Sequence, residues 1–206
     1  MSRLECHGFF PAGGGRFHVI VDPVPQLRGL NLIDRGEDGD RRVIAIVSKL
    51  PMRIAERELD TICRKTNWAP SARRAYEVTD SPGPGNVVMI EIDSQHVTEV
   101  FTGFGRHGVK AEHVAEETLR EARDYIAAGV PVGPYLADQI LLPLGIAAWQ
   151  SGAKSQFRTL PLTRYATTHI EILRLFLGIG ISHETSDNAC TVSIDSEKLQ
   201  RMGISG

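Results

Sequence analysis

Cysteine is scarce in this chain and badly placed for cross-linking. Cys6, Cys63 and Cys190 lie far apart with no C-x-x-C pair, which excludes a disulfide framework or a thiolate zinc site and fits a reducing compartment. No apolar run reaches the roughly 18 to 20 residues that span a bilayer, and the N-terminus lacks a basic start followed by an apolar stretch, so a cytoplasmic protein without a membrane partner is expected. The seven histidines include no H-x-x-x-H pair, so no metal-ligating set of imidazoles is expected. "DRGEDGD" (Asp34 to Asp40) lacks the regular alternation and closing glutamate of a calcium loop and reads as a turn. Net charge is only -2 and hydrophobic content is 42%, which excludes both a disordered tail and a histone-like nucleic-acid binder.

What is present is unevenly spread. The window Arg41 to Tyr76 holds nine basic residues against three acidic ones, a local +6 that leaves -8 for the rest. Such a window suits either an RNA-phosphate contact surface or an ordinary solvated face. At 206 residues the chain can form one large domain or two small ones. Alternating apolar residues predict strands at Arg16 to Asp22, around Gln26 to Ile33, at Arg42 to Ser48, Arg73 to Thr79, Val87 to Asp93 and Val97 to Gly105. Further strands are expected around Phe157, at Gly178 to His183 and at Ala189 to Asp195. Helices are expected at Pro51 to Thr66 with Met52, Ala55, Leu59 and Ile62 on one stripe, and at Ala111 to Ala128 with Ala115, Leu119, Ala122 and Ile126 inward. Two more are expected at Tyr135 to Trp149, interrupted by Pro143, and over "TRYATTHIEILRLFL" (Thr163 to Leu177). That order is α+β, and the opening strands and closing helices are expected to pair around an inserted basic unit.

Two stretches carry candidate chemistry. "PYLADQILLP" sets Tyr135, Asp138 and Gln139 at i, i+3 and i+4 on one face of a helix start; a carboxylate complementing the helix dipole would look the same. In "TRYATTHIEILRLFL", Tyr165 and His169 stack one turn apart on a common face. "PAGGG" (Pro11 to Gly15) could cradle an anion, but it precedes a strand and lacks a following Lys-Ser/Thr, so it reads as a turn.

Taken in series, "HGFFPAGGGRF", "DRGE", "RIAERELDTI", "GPGNVVMIEID", "HVAEETLREARDYIAAGVPVGPYLADQILLPLGIA" and "FRTLPLTRYATTHIEILRLFL" closely resemble the C-terminal part of RNA 3'-terminal phosphate cyclases, along essentially the whole chain. "YLADQ-x-L-L-P" is the most specific piece. The resemblance implies repeated β-α-β-α-β-β units of the cyclase and enolpyruvate-transferase type with a small inserted α/β domain. Here that places residues 1–36 and 108–206 in the repeat body and 37–107 in the insert. It implies an ATP-dependent enzyme of the ligase class that acts on RNA 3'-phosphate ends, not DNA. A histidine attacks the α-phosphate of ATP, AMP passes to the RNA 3'-phosphate, and the neighbouring 2'-OH displaces AMP to leave a 2',3'-cyclic phosphate. ATP and Mg²⁺ are the implied cofactors. The adenylate pocket corresponds to Tyr135, Asp138 and Gln139, with Leu136 and Ala137 between them.

Two departures from the family pattern matter. The two N-terminal repeats are absent, so a separate N-terminal half is an implied partner. The family's nucleophilic histidine also falls on Tyr165, with His169 one turn further on. Imidazole titrates near neutrality and gives a labile phosphoramidate, whereas a phenol with a reference pKa of about 10 needs a base to attack. This chain alone is therefore expected to lack adenylyl transfer. The alternatives are a non-catalytic cyclase-like RNA-processing or ribosome-assembly factor, and an inactive C-terminal fragment.

Overall fold

A computed structural model describes residues 1–196. Element order is β1 (Ser2–Cys6), β2 (Arg16–Val19), β3 (Asn31–Leu32), β4 (Asp38–Ser48), α1 (Arg53–Thr66), β5 (Arg73–Glu77), β6 (Gly85–Ser94), β7 (Thr98–Phe104), α2 (Ala111–Ala128), α3 (Pro134–Ser151), β8 (Ser155–Thr159), α4 (Arg164–Leu177), β9 (Gly180–Ser186) and β10 (Ala189–Asp195), with a 3-10 turn at Pro70–Ala72. The α+β expectation holds. The chain divides into two compact units, Met1–Asp22 with Gly39–Asp93 and Val100–Asp124, and Pro23–Asp38 with Ser94–Glu99 and Tyr125–Gly206. These are divisions by compactness and group Met1–Asp22 with the basic stretch, whereas the sequence-based boundaries separate a repeat body from an insert. The end of that expected body, 197–206, lies outside the described residues.

In the first unit, the sheet order is β5-β4-β6-β7, with β4 and β5 parallel across the α1 crossover. Over Val43–Val47 strand β4 alternates, with Val43, Ala45 and Val47 fully buried, the period of two that a pleated strand imposes. Ala55, Leu59 and Ile62 of α1 are buried as expected; Met52 lies before the helix as its N-cap. Helix α2 turns Ala115, Leu119 and Ala122 inward, while the expected Ile126 is only half-buried; the fully buried residue before it, Tyr125, belongs to the second unit. Ion pairs Arg57–Glu112 and Lys65–Glu116, each 2.6 Å, tie α1 to α2. The β1–β2 hairpin is antiparallel. Strand β1 gives no sequence signal, because four of its five residues are exposed and no apolar alternation is needed.

The second unit is built on the sheet β3-β8-β10-β9, with β3 parallel to β8 and the other pairs antiparallel. Helices α3 and α4 pack on each other and on this sheet. Their core includes Leu141, Leu144, Phe157, Ile170, Leu173, Ile181 and Val192. Contrary to the expected interruption, α3 runs unbroken through Pro143. Proline there removes the bond to the carbonyl of Gln139, but both residues lie on the exposed side, where that oxygen is open to solvent. Thr163 caps α4 by accepting a hydrogen bond from the Ala166 N–H at 3.0 Å, and Gly178 closes the helix at φ 64°, both standard end signals. No helix among the described residues is long and apolar enough to cross a membrane.

Candidate active site

The start of α3 is fixed from beneath. The buried Glu99 carboxylate accepts the N–H of Gly133, the residue that caps α3. Tyr125 lies fully buried beside it, donates its hydroxyl to the Pro131 carbonyl at 3.1 Å, and carries the Arg35 guanidinium 5.9 Å from its ring centroid. Arg35 in turn pairs with Asp38 at 3.0 Å. Burial, reinforced by Glu99, pushes the Tyr125 phenol up to about 12, so it remains a donor throughout the neutral range. The "DRGE" segment thus supplies an arginine that braces the loop feeding α3. Sequence reading saw a turn and a family motif there but no role for Arg35, because the partners Glu99 and Tyr125 are distant in the chain.

On α3, Tyr135 and Gln139 are exposed, Leu136 and Asp138 are half-buried, and Ala137 is buried in the core. Ala137 and Leu136 therefore seat the helix, Tyr135 and Gln139 face outward, and Asp138 lies between the two environments. Asp138 is the unusual member. Its Oδ1 is buried with no hydrogen-bond partner among the described residues. Burial raises its carboxyl above the ordinary value, while His169 and a hydrogen bond with the Thr163 hydroxyl act in the opposite sense.

The structure thus brings Asp138, Thr163 and His169 together, a grouping that sequence reading missed. Tyr165 is 82% exposed, whereas His169 is half-buried. A histidine 31 positions after an aspartate carries no local signal; only the packing of α3 on α4 joins them. An unpartnered, desolvated carboxylate oxygen is costly unless a donor reaches it, which singles out Asp138 among the residues of α3. Among the described residues no group of three metal-ligating side chains occurs.

The fold and site define an α+β protein whose candidate chemistry sits where two helices pack. A model of the RNA 3'-terminal phosphate cyclase family matches residues 2–183. The chain is 39% identical over 202 residues to an RNA 3'-terminal phosphate cyclase of Koribacter versatilis, covering 98% of this chain and 55% of that protein. A cyclase of Salmonella enteritidis is 34% identical over 193 residues, covering 94% and 55%, and one of Ectopseudomonas mendocina is 37% identical over 179 residues, covering 87% and 51%. The chain belongs to the RNA 3'-terminal phosphate cyclase family. It spans about half the length of these curated relatives.

Proposed function

We propose that the chain is the nucleotide-handling C-terminal part of an ATP-dependent RNA 3'-phosphate cyclase of the ligase class, and that by itself it does not transfer adenylate. The observation that carries the nucleotide reading is the buried Oδ1 of Asp138, which has no hydrogen-bond partner among the described residues, near His169 and Thr163. Tyr135 and Gln139 flank it on the same side of α3. In the complete reaction an imidazole nitrogen displaces pyrophosphate from ATP and AMP passes to the RNA 3'-phosphate. The 2'-OH then closes the 2',3'-cyclic phosphate, losing its proton and expelling AMP. Tyr165 is a poor replacement for that imidazole, being a solvent-exposed phenol on the first turn of α4. His169 lies about 6 Å further along the helix axis, a displacement large enough to abolish near-attack geometry at the Tyr165 position.

Residues 37–107 are read as the insert and 1–36 with 108–206 as the repeat body. The parallel pairing of β3 at Asn31–Leu32 with β8, across the intervening strands, supports this reading. The partners are RNA 3'-phosphate ends and an N-terminal half. Ile172, Leu175 and Phe176 on α4 are exposed, an apolar face of the kind that a further part of a family-length protein would cover. The working compartment is the cytoplasm. One observation favours a second reading, a non-catalytic RNA-processing or assembly factor: the phenol at position 165.

Calorimetric titration of ATP and Mg²⁺ into the purified chain tests the proposal. Binding by the parent and its loss in Asp138→Ala are expected. Equal heats for the two proteins would remove Asp138 from the nucleotide site.

A further inference from the structure

The first unit contains a cavity of about 680 Å³, within the size range of ligand sites. It lies between the PAGGG turn, the start of α2 and the segments around Gly85 and Gly105. Leu50, Ile54 and Val114 make an apolar wall. The ionisable residues that line it are Arg57, Arg106, His107 and Lys110, with no carboxylate among them. Arg57 and Arg106 are held from outside the lining by Glu112 and Glu117, so their hydrogen-bonding edges are positioned while much of their charge is balanced.

Close glycine packing sets the rim. A side chain on Gly85 would collide with the Phe9 ring, one on Gly83 with Ala12, and one on Gly14 with Pro82. The PAGGG turn therefore sits against the "SPGPG" turn with Phe9 tucked in. The next residue, Phe10, is left 95% exposed and lines the cavity. An exposed aromatic ring beside an apolar wall and a set of cationic donors matches the chemistry of an unpaired nucleotide, a flat base joined to an anionic phosphate.

We propose that this cavity is a second RNA-binding site, one that takes an unpaired nucleotide other than the 3'-terminal one, with its base stacked on Phe10 and its phosphate at Lys110 and His107. Aromatic stacking with flanking cations is how single strands are held without sequence preference. The inference rests on the reading that the chain works on RNA ends, but its test needs neither ATP nor a 3'-phosphate.

The test is fluorescence anisotropy with a labelled six-nucleotide oligouridylate ending in a 3'-hydroxyl, titrated with the full chain and with Phe10→Ala, Lys110→Ala and Asp138→Ala. Phe10→Ala is expected to weaken binding about tenfold and to leave ATP heats unchanged. Lys110→Ala should lower the slope of log affinity against log salt by about 0.7, and Asp138→Ala should have no effect. A 4-thiouridine probe should crosslink within Phe10–Gly15 or Gly105–Lys110. The proposal is overturned if the parent binds no RNA, if Phe10→Ala binds as well as the parent, or if excess ATP displaces the RNA fully, which would make the cavity a free-nucleotide site. RNA binding lost in Phe10→Ala while ATP fails to bind at all would leave this site standing and sink the nucleotide reading of Asp138.

Discussion

Glu58 offers the most quantitative test of the first unit. It is fully buried on α1; Asn86 donates a hydrogen bond to its Oε1, while Oε2 is buried without a partner among the described residues. Burial pushes its carboxyl up to about 8, against the lowering effect of Asn86. An unfolded glutamate titrates near 4.3, and each unit of difference is worth about 1.4 kcal/mol, so the full difference is about 5 kcal/mol. Below about pH 4 both the folded and the unfolded chain carry the proton and nothing is lost. Between about 4.3 and 8 the unfolded chain releases it and the folded chain does not, so stability falls by about 1.4 kcal/mol per pH unit; above 8 the loss is complete. Glu58→Gln keeps the acceptor for Asn86 and never ionises. It should therefore be more stable than the parent by up to about 4 kcal/mol at pH 7 and equal to it near pH 4. Urea unfolding followed by the fluorescence of Trp68 and Trp149 at several pH values between 4 and 9 measures both proteins. If their stabilities run parallel across that range, the buried neutral carboxyl is refuted. The carboxyls of Asp138 and Glu121 are also raised by burial, but they are common to both proteins and cancel in the difference.

Incubation with radiolabelled ATP should leave the parent unlabelled; Tyr165→His with an N-terminal half supplied in trans should take up an acid-labile label, and an acid-stable label on the parent's Tyr165 would contradict the argument. Thr163→Ala removes the cap of α4 and should cost about 1 kcal/mol. It should also raise the Asp138 carboxyl further, visible in an NMR titration, since the hydroxyl bond that opposes burial is lost. Phe157→Ala, at the centre of β8 with no exposed surface, should cost about 3 to 5 kcal/mol in urea unfolding.

Local pattern carried much of the architecture. The period-two alternation of β4 and the apolar stripes of α1 and α2 were readable because burial on one face is a short-range property of the chain. The α4 boundaries were readable for the same reason: Thr163 and Gly178 are end signals that act within one turn. Local rules also misjudged several places, among them Asp38–Asp40, expected in a turn but part of β4. Pro143 sits on the exposed side of α3, where the lost bond to Gln139 is open to solvent and the helix continues, and the hairpin strand β1 carries no alternation because both its faces meet water. Family membership, too, was already present in the order of "PAGGG", "GPGN" and "YLADQ", confirmed by the match over residues 2–183.

The candidate site divides along the same line. By itself the sequence determined that Tyr135, Asp138 and Gln139 share a helix side and that a phenol stands at position 165, since both follow from spacing on one element. Only the tertiary structure decided that Asp138 faces His169 and Thr163, that Arg35 and Glu99 brace the start of α3 through Tyr125, and that Phe10 stands bare over a basic cavity. Each of these depends on groups far apart in the chain, whose burial and mutual fields exist only once the helices and sheets have packed.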